Sequence, residues 1–217
     1  DAPAFAEPAG SGWTVLTWSV LRQKVGAVAQ SLLDMKLPAG RPVVVLSDNS
    51  LDHLLLMLAA LHVGRAVCTV SSGYSRLAQG EFSKVHGILQ TLQPALVYCS
   101  DAAVYGAPLV GCGVEGLVAV FSQGADKHAG ALPFTQLLAT AETPAVRAAF
   151  DAVTPDTHAK YLLTSGSTGH PKVVINTHRM LCANQQMIAQ TLRFLGPSAA
   201  PFAVEGADAP PRGAASA

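Results

Sequence analysis

Short runs of apolar residues alternate with longer segments of helical periodicity along most of this 217-residue chain. The clearest pair is a continuous apolar run at 43–46, followed by an apolar segment from Leu51 to Val63. A strand run without polar alternation is typical of a strand buried on both faces. Because such strands need helices on both sides, the alternation predicts an α/β fold with a mainly parallel sheet and flanking helices.

The same patterns place the other elements. Residues 1–12 are rich in Ala, Pro and Gly and predict a loose lead-in. Ser50 and its polar neighbours Asp48 and Asn49 are predicted to cap the second helix, and Gly64 to close it. Strands are predicted at 43–46, 66–70, 95–99, 117–121, 161–163 and 173–175, and helices over 14–33, 51–63, 81–92 and 179–195.

Composition excludes several classes of protein. Half of the residues are hydrophobic, 13% are charged and the mean hydropathy is +0.33. These values argue against disorder throughout. The 14 basic and 14 acidic residues give zero formal charge, so we predict no nucleic-acid partner held by bulk charge. The longest strongly apolar stretch, Leu54–Leu61, is too short for a membrane span.

Four cysteines, Cys68, Cys99, Cys112 and Cys182, are widely scattered. None of them forms a CxxC pair, and no His cluster lies beside them, so no metal site is predicted. The pattern predicts buried, reduced thiols in a cytoplasmic protein.

The most informative loop runs from Thr164 to Lys172. Four hydroxyl side chains and two glycines occupy its first six positions, and a lysine ends it. Glycines let backbone N–H groups turn inward into an anion-binding nest, while hydroxyls add donors and the lysine adds positive charge. This loop is therefore predicted to bind phosphate.

Two other interpretations of the loop are a Walker A loop and a turn that binds no ligand. A Walker A loop ends in Gly-Lys-Ser/Thr and runs into a helix, whereas Lys172 follows Pro171 and precedes the strand-like run at 173–175. A ligand-free turn needs only one or two such residues. Both interpretations are weaker than a phosphate-binding loop between two strands.

Residues 161–172, with the sequence YLLTSGSTGHPK, resemble the phosphate-binding signature of the adenylate-forming superfamily. That superfamily includes acyl- and aryl-CoA synthetases, luciferases and peptide-synthetase adenylation domains. The segments 16–18 and 44–64 also resemble its early motifs. Residues 160–177 and 179–187 are most similar to feruloyl-CoA synthetases. The resemblance covers residues 12–196 and implies the N-terminal part of the family's large α/β domain, with a strand–loop–strand phosphate-binding hairpin.

The resemblance implies an acid–CoA ligase that activates a carboxylic acid, with ferulate as the expected type. ATP would give an acyl-adenylate and pyrophosphate, Mg²⁺ would bridge the phosphates, and coenzyme A would then displace AMP. The residues implied to hold the β- and γ-phosphates are Thr164, Ser165, Gly166, Ser167, Thr168, Gly169 and Lys172. No catalytic residue is assigned, and no oligomeric state is predicted.

The sequence departs from the family at two places. Thr69 and Ser72 stand where relatives commonly have prolines, which is expected to loosen a loop. The family's later motifs, for adenine, ribose and the adenylation lysine, do not follow Gly196; residues 197–217 are instead Ala-, Pro-, Gly- and Ser-rich and predicted to be disordered. We therefore expect a lead-in (1–12), an incomplete AMP-binding domain (13–196) and a tail (197–217).

These departures lead us to expect a truncated chain without synthetase activity of its own. Two alternatives stay open: a phosphate- or ATP-binding module without catalysis, and a non-functional gene remnant with a shifted reading frame. A linker to a further domain would have the same composition as the tail.

Several single residues have plain structural explanations. His178 is predicted to start a helix and His53 to lie in a core or boundary position. Trp13 and Trp18 are predicted to be packing anchors.

Overall fold

A computed structural model describes residues 1–75, 81–164 and 172–192. Nine strands and eight α-helices lie in these ranges, with 3-10 turns at Ala107–Leu109 and Ala125–Lys127. The strands are β1 (Pro3–Ala9), β2 (Gly12–Thr17), β3 (Val43–Val45), β4 (Val67–Thr69), β5 (Leu96–Asp101), β6 (Val118–Gln123), β7 (Leu132–Pro133), β8 (His158–Thr164) and β9 (Lys172–Thr177). The helices are α1 (Trp18–Asp34), α2 (Leu51–His62), α3 (Ser72–Ser75), α4 (Ser83–Leu92), α5 (Ala102–Tyr105), α6 (Phe134–Leu138), α7 (Pro144–Asp151) and α8 (His178–Thr191).

Seven strands form one sheet in the order β7-β6-β5-β3-β4-β8-β9. Every neighbouring pair is parallel except β8 and β9, which form an antiparallel hairpin. The predicted α/β class is therefore confirmed. The two-residue strand β7, which ends at Pro133, lies at one edge of the sheet, and the six-residue strand β9 lies at the other.

The centre of the sheet is buried on both faces. Val43 and Val45 of β3 pack in the hydrophobic cluster of α1 and α2, whereas Val44 and Leu46 pack in the cluster of α4 and α5. All four side chains are fully buried. This two-sided burial explains the uninterrupted apolar run in the sequence, because consecutive strand residues point to opposite faces.

The ends of α2 agree with the predicted signals. The Ser50 hydroxyl accepts a 3.1 Å hydrogen bond from the His53 N–H, which satisfies one of the free donors of the first turn. Gly64 follows the helix at φ +71°, and its N–H donates to the Leu61 carbonyl. Its left-handed backbone is the conformation that glycine adopts at a helix end.

The N-terminal segment differs from the prediction. The predicted lead-in contains β1, which pairs antiparallel with β2 through a turn at Gly10, where φ is +58°. The first helix accordingly begins at Trp18, with Thr17 as its cap, and not at Thr14. The composition did not indicate β1, because prolines are rare in strands. Both strands of this two-stranded ribbon are edge strands, and edge strands tolerate proline.

Two side-chain predictions also need correction. Trp18, predicted to be a packing anchor, is 58% exposed and packs only at the edge of the Phe5 ring, outside the hydrophobic core. Cys68, Cys99 and Cys112 are buried as predicted, but Cys182 on α8 is exposed, because no residue of α8 is buried in the described structure.

The predicted tail and the boundary at Gly196 lie outside the described residues. Within the described ranges, no helix combines the length and apolar character needed to cross a bilayer.

Candidate functional site

The two ends of the predicted phosphate loop, Thr164 and Lys172, belong to the β8–β9 hairpin. Strand β8 runs parallel to β4, with Cys68 opposite Tyr161. Its last residue, Thr164, therefore lies at the edge where the other parallel strands end. Ligands of open α/β sheets bind in the crevice outside the carboxyl ends of the strands.

Thr164 and Lys172 are the two ends of the loop, and the structure brings them together. They are directly opposite each other in the ladder, and the Thr164 hydroxyl lies 3.5 Å from the Lys172 carbonyl oxygen. Both residues are exposed. The other predicted phosphate-binding residues, Ser165, Gly166, Ser167, Thr168 and Gly169, lie outside the described residues. A hydroxyl and an ammonium side chain thus flank the loop.

A network of polar side chains at the same edge was not predicted from the sequence. The Tyr98 hydroxyl lies 2.8 Å from the Ser122 hydroxyl and 3.3 Å from the Ser50 hydroxyl. Ser122 donates a 2.6 Å hydrogen bond to the Asp52 carboxylate. The sequence signal is one polar side chain within each of two strands, Tyr98 in β5 and Ser122 in β6, together with the helix cap Ser50. Only the parallel order of β3, β5 and β6 reveals that they meet.

Burial dominates the electrostatics of this network. It raises the pKa of Asp52; the hydrogen bond from Ser122 opposes that rise and the negative charge of Glu7 adds to it. Burial also raises the pKa of Tyr98 to about 12. Tyr98 is therefore a neutral hydrogen-bonding group at physiological pH.

A second polar contact joins α2 to β4. The His53 Nε2 atom lies 3.5 Å from the hydroxyl of Thr69, one of the two residues that replace family prolines. Burial, and then the positive charge of Lys160, lower the pKa of His53. His53 is buried, as predicted. Thr69 ends β4, and Ser72 begins α3.

His178 begins α8, which confirms its predicted position. Its backbone N–H donates to the Thr157 carbonyl. Burial lowers the pKa of the ring. In the described part of the chain, its buried Nε2 atom has no hydrogen-bond partner.

The described residues contain no group of three or more His, Cys, Asp or Glu side chains that could hold a metal ion. The described groups at the carboxyl edge include the hydroxyl of Thr164 and the ammonium group of Lys172, in addition to the network that holds the Asp52 carboxylate. Hydroxyl and ammonium groups can donate hydrogen bonds to phosphate oxygens.

The structure combines a mainly parallel sheet, flanked by helices, with an antiparallel hairpin whose two strands are joined by a Ser-, Thr- and Gly-rich segment of the sequence. The AMP-binding enzyme family matches residues 1–204, and the chain belongs to this family of adenylate-forming ligases.

Similar proteins come from fungi and bacteria. Atromentin synthetase of Tapinella panuoides is 29% identical over 184 residues, covering 81% of this chain and 18% of the fungal protein. An L-proline–[L-prolyl-carrier protein] ligase of Streptomyces coelicolor is 30% identical over 184 residues, covering 83% of this chain and 33% of the ligase.

Among solved structures, ATP-bound MatB from Rhodopseudomonas palustris superposes with a TM-score of 0.66 at 21% identity. The match covers 83% of this chain and 33% of MatB. It shows that the fold is shared. The chain thus spans no more than a third of the length of these three proteins.

Proposed function

We propose that this chain supplies the phosphate-binding part of an ATP-dependent acid–CoA ligase. The observation that carries the proposal is the pairing of Thr164 with Lys172 across the mouth of the loop at the carboxyl edge of the sheet. This arrangement supports a role in holding the β- and γ-phosphates of ATP. The five intervening residues Ser165, Gly166, Ser167, Thr168 and Gly169 are proposed to complete the cradle with backbone amides and hydroxyls.

The proposed reaction begins with attack of a carboxylate oxygen on the α-phosphorus. The bond from that phosphorus to the bridging oxygen breaks, and pyrophosphate leaves. Negative charge accumulates on the leaving group, so Lys172 and a bridging Mg²⁺ are the expected stabilising charges. Coenzyme A thiolate then attacks the acyl carbon, and AMP leaves.

An aromatic acid such as ferulate is the proposed substrate. Support comes from the resemblance of residues 160–177 and 179–187 to feruloyl-CoA synthetases. One relative is named for transferring proline to a carrier protein, so a carrier-protein thiol is the alternative acceptor to coenzyme A. The free cysteines support a reducing, cytoplasmic location.

A second candidate function is phosphate or ATP binding without catalysis. It requires only the loop whose ends, Thr164 and Lys172, are paired in the hairpin. Both functions require the loop to bind phosphate, and only the first places that loop in an enzyme that exchanges pyrophosphate into ATP.

Calorimetric titration of the full chain with Mg²⁺ and inorganic tripolyphosphate tests the phosphate site without relying on contacts to adenine. We expect saturable binding that Lys172→Ala weakens about tenfold or more, since a charge-assisted contact is lost. Lys127→Ala is the matched control, because Lys127 is exposed and lies in a distant 3-10 turn. Equal binding by wild type and Lys172→Ala would overturn the proposal.

A radiometric ATP–pyrophosphate exchange assay tests whether this chain adenylates an acid by itself. We expect no exchange by this chain alone with ferulate, octanoate or proline. Exchange with ferulate would establish acid adenylation, the first step of the ligase reaction, exclude binding without catalysis, and contradict the expectation that the chain is inactive alone. Tripolyphosphate binding that depends on Lys172, without exchange, is the result expected of a phosphate-binding part of a ligase and of a binding module alike.

A further inference from the structure

A cavity of about 390 Å³ lies between β1 and the first two turns of α2. Its volume is within the range of small-molecule pockets, which is about 300–1,000 Å³. The apolar residues in its wall are Phe5, Ala6, Pro8, Leu51, Leu54 and Met57. No described residue of the β8–β9 hairpin contributes to this wall, so the cavity is separate from the phosphate loop.

The β1 side of the cavity is attached to α2 by a side chain. None of the residues of β1 is buried, and in the described structure β1 pairs with β2 alone. The Glu7 carboxylate accepts a 2.8 Å hydrogen bond from the backbone N–H of Leu51, the first residue of α2. A helix N-terminus has free N–H donors and a partial positive charge, and both favour a carboxylate there. Glu7 therefore holds β1 against α2, and the cavity lies between the two elements.

An exposed aromatic pair adjoins the cavity. Phe5, which lines the cavity, is 40% exposed, and its ring meets the ring of Trp18 edge-on with the centroids 6.3 Å apart. Trp18 is itself an exposed residue. The two rings extend the apolar wall of the cavity onto the surface, and contiguous exposed apolar surface is typical of binding sites.

The charges in the wall indicate an uncharged ligand. Burial, and then the positive charge of Lys160, lower the pKa of His53, so this lining residue is neutral at physiological pH. Glu7 is the only other ionisable group among the described residues of the wall, and it is engaged by α2. An anion would be repelled by its carboxylate, and a cation would compete with α2 for it.

We propose that this cavity binds a small, uncharged aromatic molecule between β1 and α2. Burial of the apolar surface of the ligand supplies the free energy of binding. A ligand ring can pack against the Phe5 ring edge-on or offset, as aromatic pairs do. Leu54 and Met57, which are half-buried in the free protein, form the opposite wall. The proposal does not depend on the function proposed for the phosphate loop.

The test is a titration of the ¹⁵N-labelled full chain with indole, followed by NMR at constant pH and ionic strength. We expect saturable shifts of the Ala6, Leu51 and Leu54 amides and no shift of the Thr164 and Lys172 amides. Indole-3-carboxylate, which adds a negative charge to the same ring, should bind severalfold more weakly. Shifts at the cavity that are absent or grow without saturation, or equal affinity for the anion, overturn the proposal.

Leu54→Trp should weaken indole binding about tenfold or more, because the larger side chain occupies the space of the ligand. Val104→Trp is the matched control, since Val104 is an exposed apolar residue on the distant helix α5. Should Leu54→Trp fail to fold, Ala6→Leu fills the cavity from the β1 side, and weaker binding is again expected. Wild-type affinity in a folded filling variant contradicts the proposal.

Variants of Glu7 test its attachment to α2. Glu7→Ala removes the acceptor, so the Leu51 amide should exchange with solvent about tenfold faster or more. Glu7→Gln keeps an acceptor without the charge, and it should narrow the difference in affinity between indole and indole-3-carboxylate. Glu115→Gln, at an exposed residue outside the cavity wall, is the matched control. An unchanged exchange rate in Glu7→Ala, or an unchanged preference in Glu7→Gln, contradicts the role of Glu7.

Discussion

The centre of the sheet and its β9 end use similar apolar residues in different ways. Around β3, α1 and α2 cover one face and α4 the other, and Leu56 is 0% exposed. In the β8–β9 hairpin and α8, Leu162 is 47% and Met187 57% exposed, and α8 buries no residue among those described. The first region is a hydrophobic core that is covered on both faces, whereas the second exposes apolar side chains to solvent.

This difference separates the residues that stabilise the fold from those proposed to bind phosphate. The central layers bury enough apolar surface to hold the sheet together, and the hairpin projects from them with both loop ends exposed. A loop that admits a phosphorylated ligand needs accessible residues. The pairing of β8 with β4 attaches the hairpin to the rest of the sheet. The outer strand β9 and the helix α8 make few buried contacts.

The largest difference between the two regions is expected from leucine truncation. Leu56→Ala should cost about 2–5 kcal/mol of unfolding free energy, because it leaves a cavity in a closed core. Leu162→Ala should cost less than about 1 kcal/mol, because that side chain is already half-exposed. Urea unfolding of the full chain measures both. Equal costs would show that the face around Leu162 is covered in solution, and dependence on protein concentration would identify self-association as the cause.

Thiol labelling compares the buried centre of the sheet with the exposed helix α8. Cys182 lies on the uncovered helix, whereas Cys68, Cys99 and Cys112 are buried. Burial also raises the pKa of Cys68 to about 11, so little thiolate forms there. One thiol should react rapidly with a chromogenic disulfide reagent, and three should react about 100-fold more slowly because they require opening of the core. Cys182→Ser should abolish the fast phase, and four fast thiols in native protein would contradict the described packing.

The smallest expected effect is a pH dependence of the unfolding free energy, caused by Asp52 in the covered central region. Burial raises the native pKa of Asp52 above its ordinary 3.8, so the native state binds this proton more tightly than the unfolded chain. The stability from protonated Asp52 is complete below the ordinary value and is lost as pH rises through the native one. Asp52→Asn should flatten that slope in urea midpoints measured from pH 4 to 7. Ser122→Ala should steepen it, because the Ser122 hydrogen bond favours the charged form.

Periodicity was enough to predict the central layers. The apolar run at 43–46 predicted a strand covered on both faces, and Ser50 and Gly64 marked the ends of α2. These features are local consequences of burial and backbone geometry. The segment Pro3–Ala9 could not be predicted in this way, because β1 owes its conformation to pairing with β2.

The candidate site was predictable only in part. The loop sequence identified Thr164 and Lys172, which the structure places opposite each other. The network of Ser50, Tyr98 and Ser122 was hidden, because its members are far apart in sequence and meet only through strand order. The exposure of Leu162 was also hidden, since an apolar strand residue does not reveal whether a covering layer exists.

The two edge strands of the sheet differ in their capacity to pair with a further strand. At one edge β7 contains two residues and ends in Pro133, which lacks a backbone donor. At the other edge, β9 has six residues and pairs on one side with β8 alone in the described structure. A further strand can therefore be added by hydrogen bonding at β9, whereas β7 provides almost no template. The sheet is a one-sided scaffold, with a terminated end and an extendable end.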